Sequence, residues 1–173
     1  MEVEIKILDW IQNFRTPIGD VVMKFISALG NVGIIWILLA IILLLNPKRR
    51  KSGVIVALAL CLNAILCNLI LKNLFCRIRP CDVNTAIQLL IARPNDFSFP
   101  SGHTAASFAS VSALYLAGEK RLWKSALLLA VLIAFSRMYL YVHYPTDILG
   151  GIVIGIISGY IGDWLVGKLE KAI

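Results

Sequence analysis

The stretch FISALGNVGIIWILLAIILLL, residues 25–45, contains no charged side chain over its 21 residues. The hydrocarbon core of a bilayer is about 30 Å thick, and an α-helix rises about 1.5 Å per residue. About 20 apolar residues are therefore enough to cross a membrane as a helix. Residues 25–45 predict a transmembrane helix.

Four further apolar stretches of similar length follow along the chain. Residues 52–71 carry no charge, whereas the other three each hold an ionisable side chain. The sequence is 59% hydrophobic with a mean hydropathy of +0.82, which is more apolar surface than a soluble core of this length can bury. We predict an all-α integral membrane bundle that forms a single domain over residues 1–173. The three remaining stretches are residues 101–118 with His103, 125–142 with Arg137, and 148–167 with Asp163.

The N-terminal segment has a different pattern. In MEVEIKILDWIQNF, most of the charged residues fall away from one apolar helical face. That face consists of Val3, Ile7, Trp10, Ile11 and Phe14. This pattern is typical of an amphipathic helix that lies in the membrane interface, so residues 1–16 predict such a helix. Residues 18–29 hold two charges and could add a sixth, short or tilted helix to the five long ones.

The 17 Lys and Arg side chains are distributed unevenly. Nine of them lie in three clusters, at residues 48–51, 120–124 and 168–171, which share one side of the membrane if five helices alternate in direction. The excess of Lys and Arg in cytoplasmic loops predicts that this side is cytoplasmic. Nucleic acid is not an expected partner, because no basic stripe with interleaved aromatic residues lies outside the membrane-edge segments.

Five cations lie on or near the opposite, extracytoplasmic face. For any single one of them, a side chain that extends to the lipid headgroups is an adequate explanation. Cations placed against the orienting rule beside the bilayer are costly, so the group as a whole indicates that an anion is bound there. These cations are Lys72, Arg77, Arg79, Arg93 and Arg137.

Three clusters that could bind an anion and react with it fall at this face: KNLFCRIRP at residues 72–80, PSGH at 100–103 and SRMYLYVHYPTD at 136–147. In the first cluster, Lys72 and Arg79 are seven residues apart, which is close to two helical turns. If the helix continues that far, both cations project from the same face.

The PSGH cluster has the features of a phosphate site at a helix start. Ser101 can cap a helix that begins here, which leaves the first backbone N–H groups free to bind an anion. Gly102 allows a ligand to approach the backbone closely, and His103 can transfer a proton near neutral pH. A histidine at a helix end is more often structural, so the prediction depends on the three clusters together.

The third cluster combines a histidine with a carboxylate. Pro145 suits the first position of a helix, which places Asp147 in the first turn, within reach of His143. A carboxylate on one imidazole nitrogen fixes the tautomer and leaves the other nitrogen free to attack. Arg137 offers a planar fork of donors that suits a phosphate.

Together the three clusters resemble the signature of the type-2 phosphatidic acid phosphatase superfamily. That signature consists of K-x6-R-P, P-S-G-H and S-R-x5-H-x3-D, and all three motifs are present without a mismatch between residues 72 and 147. The resemblance implies that His143 attacks phosphorus and forms a phosphohistidine, that Asp147 orients His143, and that His103 protonates the leaving oxygen. Water then releases phosphate.

The resemblance also implies how the phosphoryl group is held and which cofactors are needed. Fixed positive groups would stabilise the charge that redistributes over the phosphoryl oxygens, and neither a metal ion nor any other cofactor is required. The expected phosphate-binding residues are Lys72, Arg79, Ser101, Gly102 and Arg137.

A site at the membrane edge predicts a lipid substrate whose phosphate reaches the site while its tail stays in the bilayer. Phosphatidic acid, phosphatidylglycerol phosphate and undecaprenyl diphosphate all fit this description. Two alternatives are a vanadium haloperoxidase, which soluble relatives suggest, and a transporter or scaffold with an inactive site. Against a transporter, we expect no Gly or Pro interruption within the apolar stretches.

Overall fold

The computed structural model describes residues 2–172, so Met1 and Ile173, at the two ends of the predicted domain, lie outside it. Every regular element in the described residues is a helix, as the sequence predicts. A 3-10 turn, Asn31–Gly33, joins α2 to α3, and a π-helix, Ala64–Leu71, joins α4 to α5. The helices are α1 (Glu2–Gln12), α2 (Pro17–Leu29), α3 (Ile34–Leu45), α4 (Arg50–Asn63), α5 (Lys72–Phe75), α6 (Pro80–Val83), α7 (Gly102–Leu116), α8 (Leu122–Tyr139) and α9 (Pro145–Ala172).

Within residues 2–172, three helical segments are long and apolar enough to cross a membrane: Arg50–Val83, Leu122–Tyr139 and Pro145–Lys171. A fourth candidate is the pair Pro17–Leu29 and Asn31–Leu45, whose axes differ by 45°. The structure thus supports three or four membrane spans by this measure, whereas the sequence predicts five or six. Two helices account for the difference. The 15 residues of α7 are fewer than the roughly 20 that a lone spanning helix needs, and α2, the possible sixth helix, forms one bent pair with α3.

Helix α7 is the centre of the bundle and packs against α4, α8 and α9. Eleven of its 15 residues are buried, and most of these are Ala, Ser or Thr, which let neighbouring backbones approach closely. Ser107, Ser110 and Ser112 each donate a hydrogen bond to a backbone carbonyl one turn earlier, so their hydroxyl groups are satisfied inside the helix.

The prediction that residues 25–45 form one uninterrupted helix is wrong. Helix α2 ends at Leu29, and the chain turns through Val32 and Gly33, which have φ values of 53° and 71°. The expectation that no glycine interrupts an apolar stretch is therefore also wrong. Hydropathy measures how apolar a segment is, and it does not register a change in backbone direction inside that segment.

The three basic clusters meet at one end of the bundle. Lys51 Nζ lies 2.6 Å from Glu170 Oε2 near the end of α9. Ser52 Oγ donates to Glu119 Oε1, in the connection between α7 and α8, over 3.0 Å. The starts of α4 and α8 and the end of α9 therefore share the end of the bundle that carries the cytoplasmic charge pattern.

Helix α1 packs across the opposite end. Leu8 and Ile11 are buried against the chain segment around Tyr141, which follows α8. Val3 and Trp10, which the sequence places on the apolar face, are 70% and 61% exposed. The helix thus presents one apolar stripe to the protein and leaves a second one uncovered.

Three glycines spaced by four residues allow α9 to contact the backbone of α7 directly. A Cβ atom on Gly155 would lie 2.5 Å from the carbonyl oxygen of Ala105, and a Cβ on Gly151 would lie 2.8 Å from that of Ser101. A Cβ on Gly159 would lie 2.8 Å from the Cβ of Ser112. This contact fixes the PSGH segment against the start of α9.

We predict that Gly155→Ala lowers the free energy of unfolding by about 1–3 kcal/mol, because the new methyl group would press on backbone atoms that have no room to move. Unfolding in mixed detergent micelles measures the change. Gly167→Ala is the matched control, since no atom lies within 4 Å of its added Cβ. Equal effects of the two substitutions would contradict this account of the α7–α9 contact.

Candidate active site

A cavity of about 700 Å³ opens beside the start of α7, at the end of the bundle opposite the basic clusters. Ser101 and Asp147 have no exposed surface and do not line this cavity. The other six residues that the sequence predicts for the site do line it. These are Lys72, Arg79, Gly102, His103, Arg137 and His143.

Lys72 and Arg79 reach the cavity by a route that differs from the sequence prediction. The helix ends at Phe75, and Cys76 has a φ of 45°, which turns the chain out of the helical path. Arg79 lies in the extended backbone just before α6. The two cations therefore converge because the chain turns between them, and the prediction that they share one helical face is wrong.

Arg79 is held rigidly at the cavity wall, where 3% of its surface is exposed. Its Nη1 donates to the carbonyl oxygen of Val142 over 2.7 Å and contacts His143 Nε2 at 3.2 Å. Its Nε donates to the carbonyl oxygen of Asp96 over 2.8 Å. These bonds fix the guanidinium beside the imidazole of His143.

The Asp96 carboxylate occupies the space between the two cations of the first motif. It accepts a hydrogen bond from the Lys72 ammonium group and one of 2.7 Å from Arg79 Nη2. Burial acts to raise the pKa of Asp96, but the hydrogen bonds and charges of Lys72 and Arg79 outweigh burial and lower that pKa to about 2. The sequence gives no sign that this carboxylate binds the two cations.

The His143 ring has a carboxylate on one side and an arginine on the other. Its Nδ1 lies 3.4 Å from Asp147 Oδ2, and its Nε2 faces Arg79 Nη1. A guanidinium group can only donate, so Nε2 must be the acceptor and the ring proton must sit on Nδ1. Nδ1 lies near the Asp147 carboxylate but makes no hydrogen bond with any of the described residues. Burial, followed by the charge of Arg79, lowers the pKa of His143 well below its usual range, so the ring is neutral.

Asp147 is satisfied by donors from several parts of the chain. Oδ2 accepts hydrogen bonds from the Tyr144 backbone N–H, over 2.9 Å, and from the Ser98 hydroxyl group. Oδ1 accepts one of 2.6 Å from Arg77 Nη1. Arg77 Nη2 in turn donates to Glu4 Oε2 of α1 over 2.6 Å.

The sequence did not assign Arg77 to the site. Its place among the five cations that the sequence predicts for the extracytoplasmic face was the only signal that could have identified it.

The PSGH segment forms a capped helix start, as the sequence predicts. Ser101 Oγ accepts from the Thr104 backbone N–H, and the Ser101 backbone N–H donates to the Asp147 carbonyl oxygen over 3.1 Å. The Ser101 hydroxyl group thus faces its own helix, and Gly102 and His103 form the part of the segment that lines the cavity. His103 Nε2 contacts Asn31 Oδ1 at 3.0 Å.

Arg137 lies at the end of α8 with 4% of its surface exposed. Its Nη1 donates to the Ser27 hydroxyl group, while its buried Nε has no hydrogen-bond partner among the described residues. A buried guanidinium N–H without a partner is costly, and a bound anion would satisfy it.

In the part of the chain that the structure describes, no three His, Cys, Asp or Glu side chains are grouped to hold a metal ion.

The cavity continues away from these polar groups as an apolar groove between α3 and α4. Ile37, Ile41 and Leu44 line it from α3, and Ala57 and Leu60 line it from α4. Ile37 and Ile41 are 43% and 46% exposed. The groove is therefore accessible from the side of the bundle.

Comparisons with known proteins agree with one another. A family model described as the PAP2 superfamily matches residues 52–170. The undecaprenyl-diphosphatase of Sulfolobus acidocaldarius is 31% identical over 133 residues, which is 77% of this chain and 64% of that protein. The crystal structure of Aquifex aeolicus LpxE superposes with a TM-score of 0.78 at 33% sequence identity. The alignment covers 92% of this chain and 94% of the LpxE chain. A transmembrane PAP2-type phosphatidylglycerolphosphate phosphatase from Bacillus subtilis has a TM-score of 0.75 at 26% identity, over 99% of this chain and 86% of its own.

We predict that Arg77→Leu lowers the free energy of unfolding by about 3 kcal/mol, because it leaves the buried Asp147 carboxylate without its cationic partner. Chemical denaturation in mixed micelles measures this change. Arg93→Leu is the matched control: Arg93 pairs with Asp82 on the surface and is 46% exposed, so its removal costs less than about 1 kcal/mol. A loss for Arg77→Leu no larger than that of the control would contradict the assignment.

Proposed function

The chain belongs to the PAP2 superfamily, and we propose that it is a phosphatase that removes phosphate from a membrane lipid phosphate or diphosphate through a phosphohistidine. One observation carries this proposal. The imidazole rings of His103 and His143 line one cavity together with Lys72, Arg79 and Arg137, which is the set of groups that phosphoryl transfer to a histidine would need.

The apolar groove supports a lipid as the substrate. From Lys72 back to Ala57 the groove follows 15 helical steps, part of them in the π-helix, so the α-helical rise of about 1.5 Å per residue gives an upper bound of about 22 Å. This bound is more than half of the hydrocarbon thickness of a bilayer, about 30 Å. A lipid tail would lie in the groove while its phosphate group reaches the cations.

The phosphate would bind where Asp96 now lies. The two cations that Asp96 contacts, Lys72 and Arg79, are the positive groups nearest to His143 in the first motif. A phosphate with two negative charges would compete with this single carboxylate for both cations and would also satisfy the free Nε of Arg137. Substrate binding thus exchanges Asp96 for phosphate, and phosphate release lets Asp96 return.

Three residues would carry the chemistry. Arg79 Nη1 would turn from His143 Nε2 to a phosphoryl oxygen, and the lone pair freed on Nε2 attacks phosphorus. The bond between phosphorus and the leaving oxygen breaks as His103 donates a proton to that oxygen. Asp147 stabilises the positive charge that develops on His143. Water, activated by His103 as a base, then attacks the phosphohistidine and releases phosphate.

Fixed positive groups would stabilise the transition state in place of a metal ion. Lys72, Arg79 and Arg137 surround the phosphoryl oxygens, and the start of α7 at Gly102 adds backbone N–H groups. Ser101, whose hydroxyl group faces its own helix, supports this set by holding the helix start against Asp147.

For the membrane topology we propose five spans, with the α2–α3 pair counted as one and the central helix α7 as another. The cavity would open on the extracytoplasmic side, because the three basic clusters lie at the other end of the bundle. Helix α1 would lie along the membrane surface, with its uncovered apolar stripe, including Val3 and Trp10, in the interface. Residues 1–173 would act as a single membrane domain.

We predict that His143→Ala reduces phosphate release by at least about a thousandfold, because the nucleophile is lost, and that Asp147→Asn is less severe. The assay is phosphate release from phosphatidic acid, phosphatidylglycerol phosphate and undecaprenyl diphosphate in detergent, with and without EDTA. Lys120→Gln, an exposed change at the far end of the bundle, is the control. Turnover by His143→Ala at the wild-type rate, or loss of activity in EDTA, would contradict the proposal.

Phosphate release, together with assays of bromination and of lipid transport, separates the alternative functions. A haloperoxidase would brominate with peroxide and added vanadate and would not release phosphate from lipids. If the protein is a transporter, its His143→Ala variant would still move lipid across the membrane of reconstituted vesicles.

We predict that Ala64→Trp lowers kcat/KM about tenfold for long-chain lipid phosphates, because the indole fills the groove, but less than about twofold for water-soluble p-nitrophenyl phosphate. Steady-state kinetics in micelles measures both substrates. Leu69→Trp is the matched control, since Leu69 is exposed on the same π-helix but does not line the cavity. An equal loss for both substrates would show that the groove does not hold the tail.

A further inference from the structure

Residues 30–33 form a tight turn whose backbone is unusual for its sequence. Val32 has a φ of 53° and Gly33 has a φ of 71°. A β-branched residue rarely adopts a positive φ, because its Cβ crowds the following carbonyl group. The Val32 side chain is 93% exposed, so its own burial does not account for this conformation. Strained backbone of this kind is concentrated at functional sites.

The turn contacts one edge of the His103 ring. Asn31 Oδ1 lies 3.0 Å from His103 Nε2, and a Cβ atom on Gly30 would lie 2.8 Å from His103 Cδ2. Any side chain at position 30 would therefore press on the ring. Gly30, Val32 and Gly33 also line the cavity. The turn is thus a part of the cavity wall that lies outside the three motifs.

These contacts specify where the His103 ring carries its proton. An amide oxygen only accepts hydrogen bonds, so His103 Nε2 must carry the hydrogen that faces Asn31. Within the described residues, His103 Nδ1 has no hydrogen-bond partner. The Nε2 edge of the ring is therefore committed to the turn, and the Nδ1 edge is free.

We propose that Asn31 is a positioning residue that keeps the proton on His103 Nε2, so that Nδ1 alone exchanges protons during the reaction. This inference rests on the proposed function, in which His103 is the acid and then the base. Before the first step Nδ1 takes a proton from solvent, so that the ring carries a hydrogen on both nitrogens; in the first step the Nδ1–H bond breaks, its electron pair stays on Nδ1, and the proton goes to the leaving oxygen. In the second step Nδ1 takes a proton from the water whose oxygen bonds to phosphorus.

A neutral amide suits this position better than a carboxylate does. Lys72, Arg79 and Arg137 line the same cavity and would attract a negative side chain at position 31. Such a side chain would compete with the phosphate for these cations. The Asn31 amide orients His103 without adding a charge.

Nitrogen-15 NMR of the full chain in detergent tests the tautomer directly, since the chain contains only two histidines. Loss of one set of signals in His143→Ala assigns the other set to His103. We expect a single Nε2–H tautomer in the wild type, a mixture of tautomers in Asn31→Leu and the Nε2–H form again in Asn31→Asp. Wild-type ring signals in Asn31→Leu would overturn the proposal.

Kinetics with two leaving groups tests whether the tautomer matters for the reaction. An alkyl lipid phosphate needs a proton on its leaving oxygen, whereas an aryl phosphate needs it much less. We expect Asn31→Leu to lower kcat about tenfold for the alkyl substrate and less than about threefold for the aryl substrate. Asn31→Asp should retain kcat and raise KM, because its carboxylate competes with phosphate. An equal loss of kcat for both substrates in Asn31→Leu would overturn the proposal.

Further variants separate this proposal from the proposed function. If Asn31→Leu does not fold, Asn31→Ala replaces it, and we expect the same results. The control is Asn46→Leu, at the opposite end of α3, whose kinetics we expect to be unchanged. If His103→Ala lowers kcat equally for both leaving groups, the acid role of His103 in the proposed function fails. If His103→Ala shows the leaving-group effect and the Asn31 variants do not, only the role of Asn31 is refuted.

Discussion

The buried carboxylate of Asp147 is the constraint on which the rest of the site depends. It has no exposed surface, and a buried charge is tolerated only when hydrogen bonds and an opposite charge satisfy it. Its donors, Arg77, Ser98 and the Tyr144 backbone, come from three separate segments of the chain. Satisfying this one group therefore brings these segments together and places the His143 ring against the cavity.

A second constraint is the concentration of positive charge around the cavity. Lys72, Arg79 and Arg137 are all less than one tenth exposed, so solvent screens their mutual repulsion poorly. The Asp96 carboxylate compensates two of them, and Arg137 keeps a buried N–H without a partner. The positive charge around the cavity is thus only partly balanced, and one buried donor is left without a partner among the described residues.

The close contact between α7 and α9 connects the membrane bundle to this chemistry. Glycines on α9 allow the backbone of α7 to approach, and the Ser101 backbone N–H donates directly to the Asp147 carbonyl oxygen. The second and third motifs therefore share a rigid junction, which is more precise than two independent loops would be. The apolar groove and the polar end of the cavity beside this junction are continuous.

The sequence by itself determined the helical class, the family, the capping role of Ser101 and the helix start at Pro145, because these follow from local composition and from residue spacing. Only the tertiary structure decided the break at residues 30–33, the approach of Arg79 through the turn at Cys76 and the place of Asp96 between two cations. The physical reason is that each feature depends on contacts with residues distant in the chain: the turn at residues 30–33 contacts His103, and Arg79 contacts Val142. Packing and charge balance select such contacts, and no local pattern of hydropathy encodes them.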